Sequence, residues 1–237
     1  MNSHKDFILS PITKILNDVV TANAGIGNGI ETYPLGDYIM QSVFLKMTGF
    51  QEQKMKCICW ELATYDYEYR YRRYTLKPIS ECSTYEEKKT IYKDLIEQIK
   101  KHIPNFDVST FLDKEQIRTT TLSEIQSILS NTNLSTWSQK NFVEFSTNTT
   151  LLQNNHFGSM SNLFENVLQD RYSQLYTHRN RCAHNTLSYQ QNLPTLQTIV
   201  HENYRYDNYF VRFALLTLLD KIFIALYIKY LETHDLQ

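Results

Sequence analysis

A short polar segment at residues 179–184, with the sequence RNRCAH, carries residue types that together can act on a phosphodiester. A guanidinium binds phosphate oxygens in a bidentate manner and stays charged at physiological pH. An imidazole accepts or donates a proton near neutral pH, and a carboxamide can orient either partner. Phosphate binding, proton transfer and orientation are most of what is needed to cleave RNA without a metal ion.

The spacing within this segment determines which side chains face each other on a helix. Asn180 and His184 are four residues apart, so both lie on one helix face. Arg181 precedes the histidine by three residues and lies nearer its face, whereas Arg179 lies about 140° round the helix and reaches back with its long side chain. A neighbouring arginine lowers the pKa of a histidine by like-charge repulsion, which favours the neutral imidazole that acts as a base.

Amphipathic patterns on both sides of the segment predict the helices that position it. Residues 161–184 form a long helix led by Ser161, and residues 207–232 form the last helix, with Asp207 as its cap. Residues 37–74 follow one helical stripe with a bend at Gly49. Further helices are predicted at 6–20, 84–102, 110–118 and 122–131, with a loop at 21–36 and loops and short helices at 131–158.

Helix-start signals and composition agree with an all-α fold. Ser83-Thr84-Tyr85-Glu86 has the pattern of a capping box, and residues 121–124, TLSE, repeat it. The chain has only six glycines and five prolines among 237 residues, and strand patterns are weak throughout. This length suits one domain or one domain with an insertion. The net charge of -1 means that a polyanion must be held by a local basic patch.

The segment RNRCAHN on a predicted helix resembles the R-x(4–6)-H motif of the HEPN superfamily, whose name abbreviates higher eukaryotes and prokaryotes nucleotide-binding. Asparagine directly after the arginine is the polar residue that the family prefers. A second motif of the family places a glutamate four residues before a basic residue on an earlier helix, and Glu52 and Lys56 match it. In a single HEPN-like domain at 1–237, the resemblance covers residues 37–74 and 160–232, and 76–158 is an insertion.

The resemblance implies a metal-independent endoribonuclease that works as a homodimer without a cofactor. In the mechanism it implies, His184 acts as general base or acid on the ribose 2′-hydroxyl or the leaving oxygen. Arg179 stabilises the charged phosphorane, and Asn180 orients the histidine or a phosphate. The products are a 2′,3′-cyclic phosphate and a 5′-hydroxyl. Residues expected to contact the substrate are Arg181, His178, Glu52 and Lys56.

The resemblance also suggests a toxin or antiphage defence effector, with RNA as substrate and an antitoxin or sensor protein as a further partner. Four scattered cysteines are typical of a reduced, cytoplasmic protein. The most apolar run, residues 210–230, contains four charged residues and therefore predicts a buried helix and no membrane span. A signal peptide is not expected, because no small-residue cleavage site follows the first apolar stretch.

Other interpretations of the same residues remain open at this stage. The runner-up interpretation of the motif helix is a non-catalytic HEPN-fold module for binding or oligomerisation, and Glu52 and Lys56 also fit a plain i,i+4 surface ion pair. The aromatic and basic run at residues 65–74 fits base stacking or a buried aromatic seam. GIGNG at 25–29 lacks the lysine of a phosphate loop, and Cys57 and Cys59 point about 200° apart on a helix, which disfavours zinc.

Overall fold

Helices account for most of the computed structural model, which describes residues 3–148, 150–183 and 208–234. The prediction of an all-α fold is confirmed, and the β contact recorded in these ranges is one isolated bridge between Phe157 and Phe164. The α-helices, in chain order, are α1 Ser3–Leu9, α2 Lys14–Asn23, α3 Tyr33–Tyr65, α4 Tyr67–Tyr71, α5 Tyr85–His102, α6 Val108–Phe111, α7 Lys114–Leu129, α8 Asn133–Trp137, α9 Gln139–Thr147, α10 Val167–Ala183 and α11 Tyr209–His234. Short 3-10 helices span Ile30–Thr32 and Asn154–His156, and a π-helix spans Arg72–Leu76.

The long helix α3 and the apolar helix α11 form the centre of the molecule. Residues 210–219 of α11 are all buried, as expected for a helix that is apolar on every side. This helix packs most extensively against α3, α5 and α7, while α10 packs against α3, α5 and α11. Across the described ranges, none of the helices is both long enough and apolar enough to cross a bilayer.

Several predicted helix boundaries were wrong because local signals competed. The helix predicted at 6–20 is two helices, α1 and α2, separated by a break that contains Pro11. The helix predicted at 37–74 begins earlier, at Tyr33, and ends at Tyr65. Asp66 then adopts an extended backbone, and its carboxylate accepts from the Tyr69 N–H at 2.9 Å and caps α4.

The capping boxes also differ from their predicted positions. At α5, Thr84 is the capping residue and pairs with Glu87, one residue later than the predicted Ser83 and Glu86. The residues predicted as two helices at 110–118 and 122–131 are mainly one helix, α7. Thr121 lies in its interior, fully buried, and its hydroxyl donates to the Ile117 carbonyl at 2.7 Å.

The ends of the last two helices are adjusted in a similar way. α10 begins at Val167, because residues 157 and 164 form the β-bridge that precedes it, so Ser161 does not lead the helix. At α11 the Asn208 side chain accepts from the Val211 N–H at 3.0 Å, whereas the predicted cap Asp207 lies outside the described residues.

A buried ion pair joins the centre of the fold to its N-terminal helices. Lys54 of α3 and Asp220 of α11 are 2.5 Å apart, and their side chains are 0% and 2% exposed. The second Asp220 oxygen accepts from the Ile12 N–H at 2.9 Å, and Lys54 also donates to the Ser10 carbonyl at 2.7 Å. The pair therefore satisfies backbone groups at the break between α1 and α2, where helical hydrogen bonds are interrupted.

Candidate functional site

The C-terminal end of α10 contacts the middle of α3 through a charged pair. The Arg179 guanidinium lies 3.2 Å from the Glu52 carboxylate, and the two side chains are 23% and 13% exposed. The structure thus brings the arginine of the later motif into direct contact with the glutamate of the earlier motif, although they are far apart in the sequence. Charge-assisted pairs that are this well shielded from water hold a guanidinium in a defined orientation.

The neighbours of Arg179 in the motif lie at the same end of α10. The Asn180 side-chain oxygen accepts from Arg179 Nη1 at 3.2 Å, so the amide is held beside the guanidinium. Arg181 is exposed. His184 lies outside the described residues and follows directly in the sequence after Ala183, the last described residue of α10.

The register between α3 and α10 is set by a buried polar bridge next to Glu52. The Gln51 side chain donates to the Leu216 carbonyl of α11 and accepts from the Tyr172 hydroxyl of α10, both at 3.1 Å. Gln51 is fully buried, and Tyr172 is 2% exposed. Loss of these hydrogen bonds would leave a buried amide unsatisfied and destabilise the fold. The two hydrogen bonds therefore fix how α3, α10 and α11 are aligned along one another.

A buried lysine adds positive charge behind the Glu52–Arg179 pair. Lys88 of α5 donates to the carbonyls of Cys82 and Ser83 at 2.8 and 2.7 Å and lies over the Tyr172 ring. Burial lowers the pKa of Lys88 to about 8, and the Glu52 carboxylate opposes this shift. The glutamate therefore interacts with cations from two different helices. Lys88 occupies a position on the apolar stripe of α5, which is a sequence signal for a buried lysine.

Lys56, the basic residue of the earlier motif, has a different partner. Its ammonium donates to Glu81, in the loop that precedes α5, and this hydrogen bond raises the lysine pKa. Its side chain remains 36% exposed. The contacts therefore differ from the i,i+4 ion pair that was the alternative interpretation, because Glu52 faces Arg179 and Lys56 faces Glu81.

His178 faces inward, toward α3 and α11. Its ring lies 5.5 Å from the Phe44 ring, and its Nε2 is 3.4 Å from the Tyr209 hydroxyl and 3.3 Å from Cys182 Sγ. Burial, followed by repulsion from Arg212 and Arg181, lowers the pKa of His178 to about 3. The effect of nearby arginines on a histidine, expected for the motif, is thus present at His178. Its contacts give it a packing role, and substrate binding by it stays a prediction.

We expect replacement of His178 by phenylalanine to reduce the loss of stability in acid. A histidine with a pKa of about 6.5 when unfolded and about 3 when folded takes up a proton on unfolding between those values. Its contribution to folding is therefore complete above pH 6.5 and declines as the pH falls toward 3. Urea unfolding at pH 7 and pH 5 should show a smaller difference in the variant, and an equal difference would contradict the assignment.

Among the described residues, no group of three or more histidine, cysteine, aspartate or glutamate side chains is placed to hold a metal ion. The comparisons with known proteins give no further assignment. No family model, no curated protein and no solved structure matches this chain.

Proposed function

We propose that this protein is a metal-independent endoribonuclease of HEPN type that cleaves RNA through the ribose 2′-hydroxyl. The observation that most supports the proposal is the contact between Arg179 and Glu52. Two short motifs that were recognised separately in the sequence meet at one place in the fold. A coincidental match to either motif gives no reason for the two to be in contact.

In the proposed reaction, a general base removes the proton of the 2′-hydroxyl, and the resulting oxygen attacks the adjacent phosphorus. The bond from phosphorus to the 5′-oxygen then breaks, and a general acid protonates that leaving oxygen. His184 supplies the proton transfer, and Arg179 stabilises the extra negative charge of the phosphorane. Glu52 holds the guanidinium in position, and the Asn180 amide orients the phosphate or the imidazole. The products are a 2′,3′-cyclic phosphate and a 5′-hydroxyl.

The proposal extends to assembly and to biological role. The resemblance that motivates it implies a homodimer, in which the motif helices of two copies face a shared cleft. It also implies a toxin or antiphage defence effector that is controlled by an antitoxin or sensor protein. Arg181, which is exposed at the end of α10, and Lys56, which is half-buried on α3, supply cations for the RNA backbone in this arrangement.

We expect the purified protein to cleave single-stranded RNA in the presence of excess EDTA. The proposed reaction uses protein side chains alone for proton transfer and charge stabilisation, so chelation should leave the rate unchanged. Treatment of the fragments with a phosphatase before and after acid opening of the cyclic phosphate identifies the product ends. Loss of cleavage in EDTA, or fragments with 5′-phosphates, would indicate a metal-dependent nuclease instead. No cleavage under any condition would favour the non-catalytic binding module.

A further inference from the structure

Two exposed tyrosines and one arginine lie on α4, the first part of the segment that α4 forms with the π-helix after it. Tyr67, Arg70 and Tyr71 are spaced by three and four residues on α4, so they lie along one side of this helix. Tyr67 and Tyr71 are 70% and 49% exposed, and Arg70 is exposed as well. We call these three residues the tyrosine stripe.

The opposite side of the same segment is anchored firmly to α5. Tyr69 is 1% exposed, the Arg72 guanidinium makes two hydrogen bonds of 3.0 Å to Glu97, and Arg73 makes two to Asp94. Bidentate pairs of this kind fix both position and rotation. The tyrosine stripe is therefore held outward by the fold and is presented to solvent in a defined orientation.

The chemistry of the stripe suits a single-stranded nucleic acid better than an apolar protein surface. The Arg70 guanidinium lies 5.2 Å from the centre of the Tyr67 ring, so a cation and an aromatic face are presented together. Rings of this kind stack on bases of any sequence, and neighbouring cations bind the phosphates.

We propose that the tyrosine stripe is a binding surface for single-stranded RNA, on which unpaired bases stack. The proposal deepens the proposed function, on which it rests for the identity of the nucleic acid. α4, which carries the stripe, follows α3 directly and packs against it, so the stripe and Glu52 lie on adjoining elements.

The test measures RNA binding separately from cleavage, in the full-length His184→Ala variant. Fluorescence anisotropy with a labelled 20-nucleotide unstructured RNA and with a labelled RNA duplex gives both affinities. We expect Tyr67→Ala and Tyr71→Ala each to weaken binding of the single strand by about fivefold or more, while Tyr71→Phe keeps the affinity because the ring remains. The matched control is Tyr38→Ala, at the other end of α3, whose side chain is 68% exposed.

Each outcome bears on the stripe in a distinct way. Unchanged RNA affinity in both alanine variants overturns the proposal that the tyrosine stripe binds RNA. An equal loss of affinity in the Tyr38→Ala control overturns it as well. A change in oligomeric mass on Tyr71→Ala, seen by light scattering, overturns it in favour of a protein contact. Stripe-dependent RNA binding without any cleavage by the natural chain supports the stripe and rejects the nuclease. Cleavage with stripe-independent binding supports the nuclease and rejects the stripe.

Discussion

Replacement of His184 by alanine is expected to lower the rate of RNA cleavage by about 10²–10⁴-fold, because a positioned proton donor or acceptor contributes that much to such reactions. Arg179→Ala is expected to lower it by about 10²–10³-fold, the usual effect of removing one group that stabilises a developing oxyanion. Both rates are measured on the same labelled RNA in EDTA, so that the comparison excludes contaminating metal-dependent nucleases.

Matched controls separate chemistry from folding and assembly in these variants. His4→Ala removes a histidine from α1, and Arg118→Ala removes an arginine that also pairs with a glutamate, Glu115, on the surface of α7. Both controls should cleave at the natural rate. Light scattering at micromolar concentration should give the same dimeric mass for all four variants. Undiminished cleavage by His184→Ala would contradict the proposed mechanism. A fully active monomer would contradict the proposal that two copies form a shared cleft.

The stripes of apolar residues predicted the helices well. Polar residues that interrupt those stripes indicated where polar groups are buried in the core. Gln51, Lys54 and Lys88 fall at buried positions of α3 and α5, where an apolar residue is the usual choice. Their presence in the pattern signals a buried partner but does not name it. The partners come from other helices, and only the packing of the chain shows that Lys54 meets Asp220 and that Gln51 meets Tyr172.

Helix starts were harder to predict, because two overlapping patterns fit the same stretch. Ser83 with Glu86 and Thr84 with Glu87 both satisfy the capping-box spacing. The choice is made by tertiary contacts: Lys88 binds the Ser83 carbonyl, and the Ser83 hydroxyl lies 3.2 Å from the Tyr176 hydroxyl of α10. A serine engaged with another helix is not available as the cap.

The candidate site shows the same division between local pattern and tertiary contact. The sequence supplied both motifs, including Arg179 and Glu52, but motif spacing alone does not indicate that their side chains touch. Motif spacing also does not indicate that Lys56 pairs with Glu81, because Glu81 lies in a loop with no periodic pattern. The inward position of His178 depends on Phe44 and Tyr209, which come from α3 and α11.

The largest expected effect on stability follows from Asp220→Ala, which should lower the free energy of unfolding by about 3–5 kcal/mol. The substitution leaves the buried Lys54 ammonium without its carboxylate and leaves the Ile12 N–H without its acceptor. Burial lowers the pKa of Lys54 and raises that of Asp220, so desolvation opposes both charges, and removal of either partner makes the cost for the other larger. Urea unfolding monitored by circular dichroism measures the change.

The double variant Lys54→Met, Asp220→Leu tests whether this cost comes from the stranded charge. Replacement of both members of a buried pair by apolar residues of similar volume removes the desolvation penalty, so the double variant should be more stable than Asp220→Ala. It should not reach the stability of the natural chain, because the Ile12 N–H and the Ser10 carbonyl still lose their partners at the break between α1 and α2. Because the ion pair is broken in both variants, a double variant less stable than Asp220→Ala would contradict this account. It would mean that the hydrogen bond from Lys54 to the Ser10 carbonyl outweighs the cost of the unpaired charge.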